Sequence, residues 1–101
     1  MADSSSPETA MRAACDAIIR GDLMTAMADL TPEAMNEGMA FASGLYGMSL
    51  PDRYEVVGTT VTDGRHRIEA RFHTPSQDVT GFATWQLIDG VWKIVSLGLV
   101  T

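Results

Sequence analysis

The spacing of apolar residues changes near the middle of this chain of 101 residues. Before Pro51, apolar residues recur every three or four positions, as Met11, Cys15 and Ile18 do, which is the spacing of an amphipathic helix. After Pro51, apolar and polar residues alternate, most clearly over residues 65–74, which is the period of a half-buried strand. The pattern therefore predicts a helical half followed by a half made of strands.

Two helices are predicted before residue 31 from their capping signals. Ser6 followed by Pro7 is typical of an N-cap and a first helical position, and Gly21 is expected to end this first helix. Asp22 is expected to cap a short second helix. The buried side of the second helix is predicted to consist of Leu23, Ala26, Met27 and Leu30.

A third helix is predicted to begin at Thr31-Pro32, which repeats the signal of a cap followed by proline. The glycines Gly44 and Gly47 are expected to end it. Its apolar side is predicted to hold Met35, Met39 and Ala42.

Four strands are predicted in two hairpins. Asp63-Gly64 and Asp89-Gly90 are typical of tight turns in which both central residues have positive φ. The strands are expected at residues 53–62, 65–74, 79–88 and 91–100. The strand positions facing the helices are predicted by alternation to be His66, Ile68, Ala70, Phe72, Val79, Gly81, Ala83, Trp85, Leu87, Trp92, Ile94, Ser96, Gly98 and Val100.

Helices followed by antiparallel strands indicate the α+β class, with the N-terminal helices packed on one face of a curved sheet of about four strands. Long strands in a twisted sheet tend to curl, so a cone with an apolar interior is expected. Residues 1–6 are interpreted as a flexible leader and residues 7–101 as a single domain. The small residues at the predicted inward positions favour a cavity over an interior filled by side chains; they are Ala70, Gly81, Ala83, Ser96 and Gly98.

The net charge of −6 changes the range of partners to expect. Acidic residues dominate the helical half, and no basic stripe is present, which argues against nucleic acid and anionic membrane. No apolar run approaches the roughly 20 residues that span a bilayer. The start of the chain is acidic and polar, unlike a secretory signal, so the cytoplasm is the expected compartment.

The few metal-ligating residues predict neither a metal nor another cofactor. A single cysteine, Cys15, excludes an internal disulfide and a cysteine-based zinc site, and a buried apolar role is expected for it. His66 and His73 fall on opposite faces of one predicted strand, so they cannot hold one ion together without strain.

Two segments of the chain resemble the nuclear transport factor 2-like superfamily. The helical start, residues 18–23 followed by 30–34, and the hairpin at residues 89–94 carry the resemblance, which covers most of residues 7–101. The superfamily includes ketosteroid isomerase, SnoaL-like polyketide cyclases, dehydratases and noncatalytic binding domains, and its members commonly pair through the open face of the sheet. This chain is short for the superfamily and is expected to lack a strand between the helices.

The resemblance suggests candidate site residues without assigning a reaction. The isomerase would need an inward carboxylate, and none of the predicted inward positions carries one. His66, as a general acid or base, and Tyr46, as a hydrogen-bond donor, are the candidate catalytic residues. The candidate ligand-binding residues are Met35, Met39, Phe72, Trp85, Trp92 and Ser96, although core packing is an alternative role for the methionines and tryptophans.

Three functions are compatible with these observations. The first is a noncatalytic domain that binds an apolar small molecule or serves as an accessory domain, the second a cofactor-independent isomerase, cyclase or dehydratase, and the third a structural dimerisation module with a filled cone. A homodimer is expected through the outer face of the sheet. The apolar residues predicted on that face are Phe82, Ile88, Val91, Val95, Leu97 and Leu99.

Overall fold

The fold follows the predicted order of helices and strands. A computed structural model describes residues 6–46, 51–75 and 77–100, without the side chains of residues 23, 41, 42 and 44–46. The helices are α1 (Pro7–Ile19), α2 (Leu23–Ala26), a 3₁₀ turn (Pro32–Ala34) and α3 (Met35–Tyr46). The strands are β1 (Arg53–Thr62), β2 (Arg65–His73), β3 (Asp78–Ile88) and β4 (Val91–Leu99), antiparallel in the order β1-β2-β3-β4. The predicted α+β class is confirmed.

The predicted helix boundaries at both ends of α1 are confirmed. The Ser6 hydroxyl accepts a hydrogen bond from the Thr9 amide at 3.1 Å, and Pro7 is the first helical residue. Gly21 has a φ of 78°, which glycine adopts without steric cost, and the chain turns there toward α2. The Asp22 carboxylate then accepts from the Thr25 amide at 3.2 Å, as expected of a cap.

Both predicted tight turns are present. Asp63 and Gly64 have φ angles of 51° and 78°, and Asp89 and Gly90 have 54° and 82°. Positive φ at both central residues is the type I′ geometry, whose twist matches that of the flanking strands. The turns therefore set the register of both hairpins, β1-β2 and β3-β4.

The core lies between the helices and one face of the sheet, here called the inner face. α1 contacts β1, β2 and β3, while α3 and the 3₁₀ turn contact β4. Met11, Cys15 and Ile18 are buried along one side of α1, as predicted. The buried residues of the sheet are Ile68, Ala70, Phe72, Gly81, Ala83, Trp85 and Ile94.

Part of the predicted inner face is wrong because β4 contains a β-bulge. Trp85 pairs with Ile94 and Thr84 pairs with Ser96, so Val95 is an extra residue that reverses the alternation beyond it. Leu97 and Leu99, predicted on the outer face, pair with Ala83 and Gly81 on the inner face. Ser96, Gly98 and Val100, predicted inward, pair with the outer-face residues Thr84, Phe82 and Thr80.

The predicted apolar side of α3 is also wrong. Met35 and Met39 are 39% and 58% exposed, whereas Ala34 and Gly38 are buried. A Cβ atom on Gly38 would collide with the side chain of Leu30, so small residues let α3 approach this segment closely. Gly44 lies within α3 and does not end it, and Gly47 lies outside the described residues.

The segment between α2 and the 3₁₀ turn pairs with the edge of β4 that points away from β3. The Thr31 amide donates to the Ile94 carbonyl at 3.0 Å, and the Ile94 amide donates to the Asp29 carbonyl at 2.8 Å. Leu30 thereby forms a short parallel bridge with Ile94. No strand lies between the helices in the described part of the chain, and the bridge covers part of the β4 edge.

Candidate functional site: an apolar cavity under the first helix

A cavity of about 50 Å³ lies between α1, the segment 26–30, Gly38 of α3 and the inner face of the sheet. Every side chain that lines it, among the described residues, is apolar or a thiol. The lining includes Met11, Ala14, Cys15, Ile18, Ala26, Met27, Leu30, Phe72, Ala83, Ile94 and Leu97.

The thiol of Cys15 is the one titratable group among the described lining residues, and burial makes it unreactive. Cys15 is 1% exposed, and the cost of burying a thiolate raises its pKa to about 12. The neighbouring Asp16 carboxylate raises the pKa further in the same direction. Because the thiolate is the nucleophilic form, the raised pKa makes the buried Cys15 a poor nucleophile at neutral pH. The cavity can hold apolar groups, and its described lining offers no proton donor or acceptor matched to neutral pH.

Trp85 supports the cavity wall from the sheet side. Its side chain is completely buried, and its indole nitrogen lies 3.4 Å from the Met11 sulfur, to which it donates. A buried indole N–H needs a partner, and this contact fixes the Met11 side chain at the edge of the cavity. Trp85 therefore positions a lining residue.

Trp92 and His66 form a separate pair at the other end of the inner face, beside the two tight turns. Their ring centroids are 5.1 Å apart with an interplanar angle of 78°, an edge-to-face arrangement. Both side chains are half-buried, and neither lines the cavity. The face predicted for His66 is confirmed, and the ring packs against Trp92.

The structure brings two of the six candidate ligand-binding residues to the cavity. Phe72 lines it, and Trp85 adjoins it through Met11. Trp92 lies at the uncovered end of the inner face, and Met35 and Met39 are exposed on α3. A ligand-binding role for these residues stays a prediction.

The sixth ligand-binding candidate, Ser96, does not line the cavity. Ser96 is on the outer face, where its hydroxyl donates to the Glu37 carboxylate at 3.0 Å. The side chain of Tyr46 is outside the described residues, although Tyr46 ends α3. The proposed catalytic roles of Tyr46 and His66 remain untested predictions.

The lining residues from the helices were missed as a site because their helical spacing is equally typical of a core. Met11, Met27 and Leu30 are flexible apolar side chains at such positions. The signal that did point to the cavity is the presence of Gly81 and Ala83 on the inner face, since both line it. The small residues of α1 and α3 that complete the cavity carry no comparable sequence signal.

The outer face of the sheet is more polar than predicted. Without Leu97 and Leu99, its apolar residues are spread among cations: the Arg67 guanidinium lies 4.0 Å from the centre of the Phe82 ring. Arg65 and Lys93 flank Gln86 in one row across the strands. A homodimer through this face stays a prediction, and the apolar surface available for it is smaller than predicted because Leu97 and Leu99 lie on the inner face.

The two histidines face opposite sides of the sheet, as predicted. The His73 ring lies on the outer face, with one nitrogen 2.9 Å from the Asp78 carboxylate and the other 3.5 Å from the Glu55 carboxylate. Within the described residues, no cluster of three or more His, Cys, Asp and Glu side chains could hold a metal ion. No helix in the part of the chain that the structure describes has the length and apolar content to cross a membrane.

Comparison with known proteins places the fold. No protein-family model matches the chain, and no curated protein matches it. A SEC-C motif containing protein of Rhodopseudomonas palustris is similar in structure, with a TM-score of 0.71, 20% identity, and coverage of 99% of this chain and 83% of that one. A DUF4783 family protein of Bacteroides ovatus has a TM-score of 0.72 at 8% identity, covering 96% of both chains.

A third solved structure carries the fold name. It is a nuclear transport factor 2-like protein of unknown function from Shewanella oneidensis, with a TM-score of 0.64 and 14% identity over 91% of this chain and 93% of that one. At such identities the likeness concerns the fold alone. The helices on one face of the four-stranded sheet and these neighbours together show that the chain has the nuclear transport factor 2-like fold.

Proposed function

We propose that this domain binds a small apolar molecule, or an apolar group of a larger one, in the cavity under α1, and that it catalyses no reaction there. The observation that carries the proposal is the composition of the cavity wall. Its described lining holds no charged side chain and no hydroxyl or amide side chain. Apolar surface recognises apolar ligands through the removal of both from water, without directional contacts.

The size of the cavity limits the ligand. An apolar cavity of about 150 Å³ is known to hold a benzene molecule, and the cavity here is about 50 Å³. A group of a few carbon atoms fits the space as it stands. A larger ligand requires Met27 or Leu30 to change rotamer, which a flexible thioether and a branched side chain at the wall can do, whereas the Trp85 indole holds Met11 in place.

The enzymatic alternative has less support. An isomerase, cyclase or dehydratase of this fold moves a proton inside the cavity, and His66 is the inner-face residue suited to that role. His66 instead packs on Trp92 at the opposite end of the inner face, outside the described lining. The alternative of a filled structural cone is disfavoured by the cavity itself.

Cys15 provides a direct test, because it is the chain's single cysteine and it lines the cavity. Modification of Cys15 by a small thiol reagent at pH 8 requires the cavity to open. Benzene needs more room than the cavity gives as it stands, so its binding relies on a rotamer change of Met27 or Leu30. Once bound to the closed state, benzene should slow the modification of Cys15 by a factor of about 1 + [benzene]/Kd, or roughly tenfold at ten times Kd. Unchanged modification rates up to the solubility limit of benzene would contradict the proposal.

Gly38→Ala is the matched control. Its added Cβ would displace the Leu30 side chain, and the cavity beside Leu30 is the space available to receive it. Because alanine favours a helix interior over glycine by about 1 kcal/mol, the variant should remain folded. We expect benzene to leave the modification rate of Gly38→Ala unchanged. Equal slowing in both proteins would place benzene elsewhere.

A further inference from the structure

The two edges of the sheet differ in how their backbone groups are satisfied. The β4 edge is covered by the chain itself: the segment 29–31 pairs with Ile94, and the Glu37 carboxylate accepts from the Leu97 amide at 2.9 Å. At the opposite edge, β2 is the one described strand that pairs with β1. The sheet therefore has one edge that is covered in its middle and one open edge.

The turn geometry identifies the β1 backbone groups that point away from the sheet. In a type I′ hairpin the residues flanking the turn, Thr62 and Arg65, exchange both of their hydrogen bonds. Alternation along an antiparallel ladder then directs the Thr60 amide toward Arg67 on β2. The N–H and C=O groups of Thr59 and Val61 consequently point outward from the edge.

The sequence of this part of β1 lacks most of the features that protect open edges. Residues 57–62 are all exposed, contain no charge and no proline, and are β-branched at every position except Gly58. Native edge strands are usually protected by lysine, proline, a β-bulge or a covering segment. Of these features, residues 57–62 have a bulge at Val57. A strand of this composition is suited to pairing with another strand.

We infer that a second copy of this chain pairs antiparallel with β1 along residues 58–62, with the twofold axis at Thr60, so that two four-stranded sheets join into one sheet. The coverage of β4 at Ile94 and Leu97 is the reason for choosing this occupant. Because the middle of β4 is covered, β1 of one copy cannot pair along the full length of β4 of the next, a pairing that would build an open filament. Pairing of β1 with β1 about a twofold axis closes at two copies.

The charge pattern supports self-pairing. Across a twofold axis a strand pairs with its own sequence in reverse, so a charged residue near the axis would lie close to the like charge of its own copy and weaken the pair. The uncharged run 57–62 avoids this repulsion. Pairing of Thr59 with Val61 of the second copy satisfies the outward groups of both, and it covers a Val61 side chain that is 58% exposed in the single chain.

Amide hydrogen exchange tests the inferred edge, with Thr60 as an internal control. The Thr60 amide is bonded within the hairpin, so it should be protected at every protein concentration. The Thr59 and Val61 amides should be protected at millimolar protein and should lose at least about tenfold of that protection after dilution to the low micromolar range. Exchange of both amides at the unprotected rate at millimolar protein would overturn the inference.

A substitution pair tests the same edge by mass. Thr59→Pro removes an outward N–H and spares the bonds to β2, whereas Thr59→Ala keeps the N–H. We expect twice the chain mass of 10.9 kDa for the natural chain and for Thr59→Ala, and a monomer for Thr59→Pro. A natural chain that is monomeric at millimolar concentration contradicts the inference. A dimer that survives Thr59→Pro and dissociates in Val95→Lys also contradicts the inference, because it would place the dimer contact on the outer face of the sheet.

Discussion

The two ends of the inner face carry the same alternation of apolar side chains, yet the helices cover only one of them. At the covered end, Ile68 and Trp85 are completely buried. Beside the tight turns, Val61 and Leu87 on the same face are 58% and 52% exposed. A helix of 13 residues, such as α1, is about 20 Å long, whereas a strand of 11 residues, such as β3, is about 36 Å long. Alternation thus shows which side chains share a face, and helix length limits how many are buried.

A charge placed at each end of the inner face should produce the largest difference in stability between the two ends. Ile68→Lys puts an ammonium group into a site that is 0% exposed, and we expect it to lower the free energy of unfolding by about 4 kcal/mol or more. Leu87→Lys, at the uncovered end, should change it by less than about 1 kcal/mol. Urea denaturation of both variants provides the measurement, and comparable losses would show that both ends are covered in solution.

The two tryptophans make a matched pair of truncations. Trp85→Ala should cost about 3–5 kcal/mol, because it removes a fully buried ring and the partner of Met11. Trp92→Ala should cost about 1–2 kcal/mol, since a half-buried ring loses less apolar contact. The midpoints of chemical denaturation rank the two variants. A larger loss of stability for Trp92→Ala than for Trp85→Ala would show that the core lies beside Trp92 and not beneath α1.

The buried thiol predicts a loss of stability at alkaline pH. Folding raises the pKa of Cys15 from 9.0 to about 12, so between these values the unfolded chain releases a proton that the folded chain keeps. The free energy of unfolding should therefore fall as pH rises through this window, by up to about 1.4 kcal/mol per pH unit from this group. Below pH 9 the group contributes no slope. The test is the difference between the natural chain and Cys15→Ala, and a parallel pH dependence in the two would contradict burial of Cys15.

His66→Gln should have the smallest effect. The ring is half-buried against Trp92 and outside the described lining of the cavity, so we expect a change in stability below about 1 kcal/mol and an unchanged response of Cys15 modification to benzene. Loss of the benzene response in this variant would connect His66 to the cavity and revive the enzymatic alternative.

The features of the fold that depend on neighbours in sequence were predictable. The caps at Ser6 and Asp22 and the turns at Asp63-Gly64 and Asp89-Gly90 rest on local backbone chemistry, and all are present. The bulge at Val95 was not predictable, because an extra residue in a strand leaves the local composition unchanged. That single residue moved Ser96 out of the predicted site and Leu97 into the cavity wall.

The candidate site was only partly predictable because it depends on how closely α3 and the segment that contains Leu30 approach each other. The choice of Met35 and Met39 followed hydrophobicity, whereas the buried side of α3 is set by the small residues Ala34 and Gly38. Close contact between Gly38 and Leu30 is a tertiary feature with no local signal. The inward glycine and alanine of β3 indicated a cavity without indicating its helical wall.

A benzene titration followed in the methyl spectrum of the protein locates the apolar binding site, because one experiment reports on both ends of the inner face. Binding in the cavity should give saturable shifts for the methyl groups of Met11 and Met27, which line it, and none for those of Val61 and Leu87 at the uncovered end. The exposed methyl of Met39 serves as a reference for nonspecific effects. Saturable shifts confined to Val61 and Leu87 would instead place the apolar site beside Trp92 and rule out binding under α1.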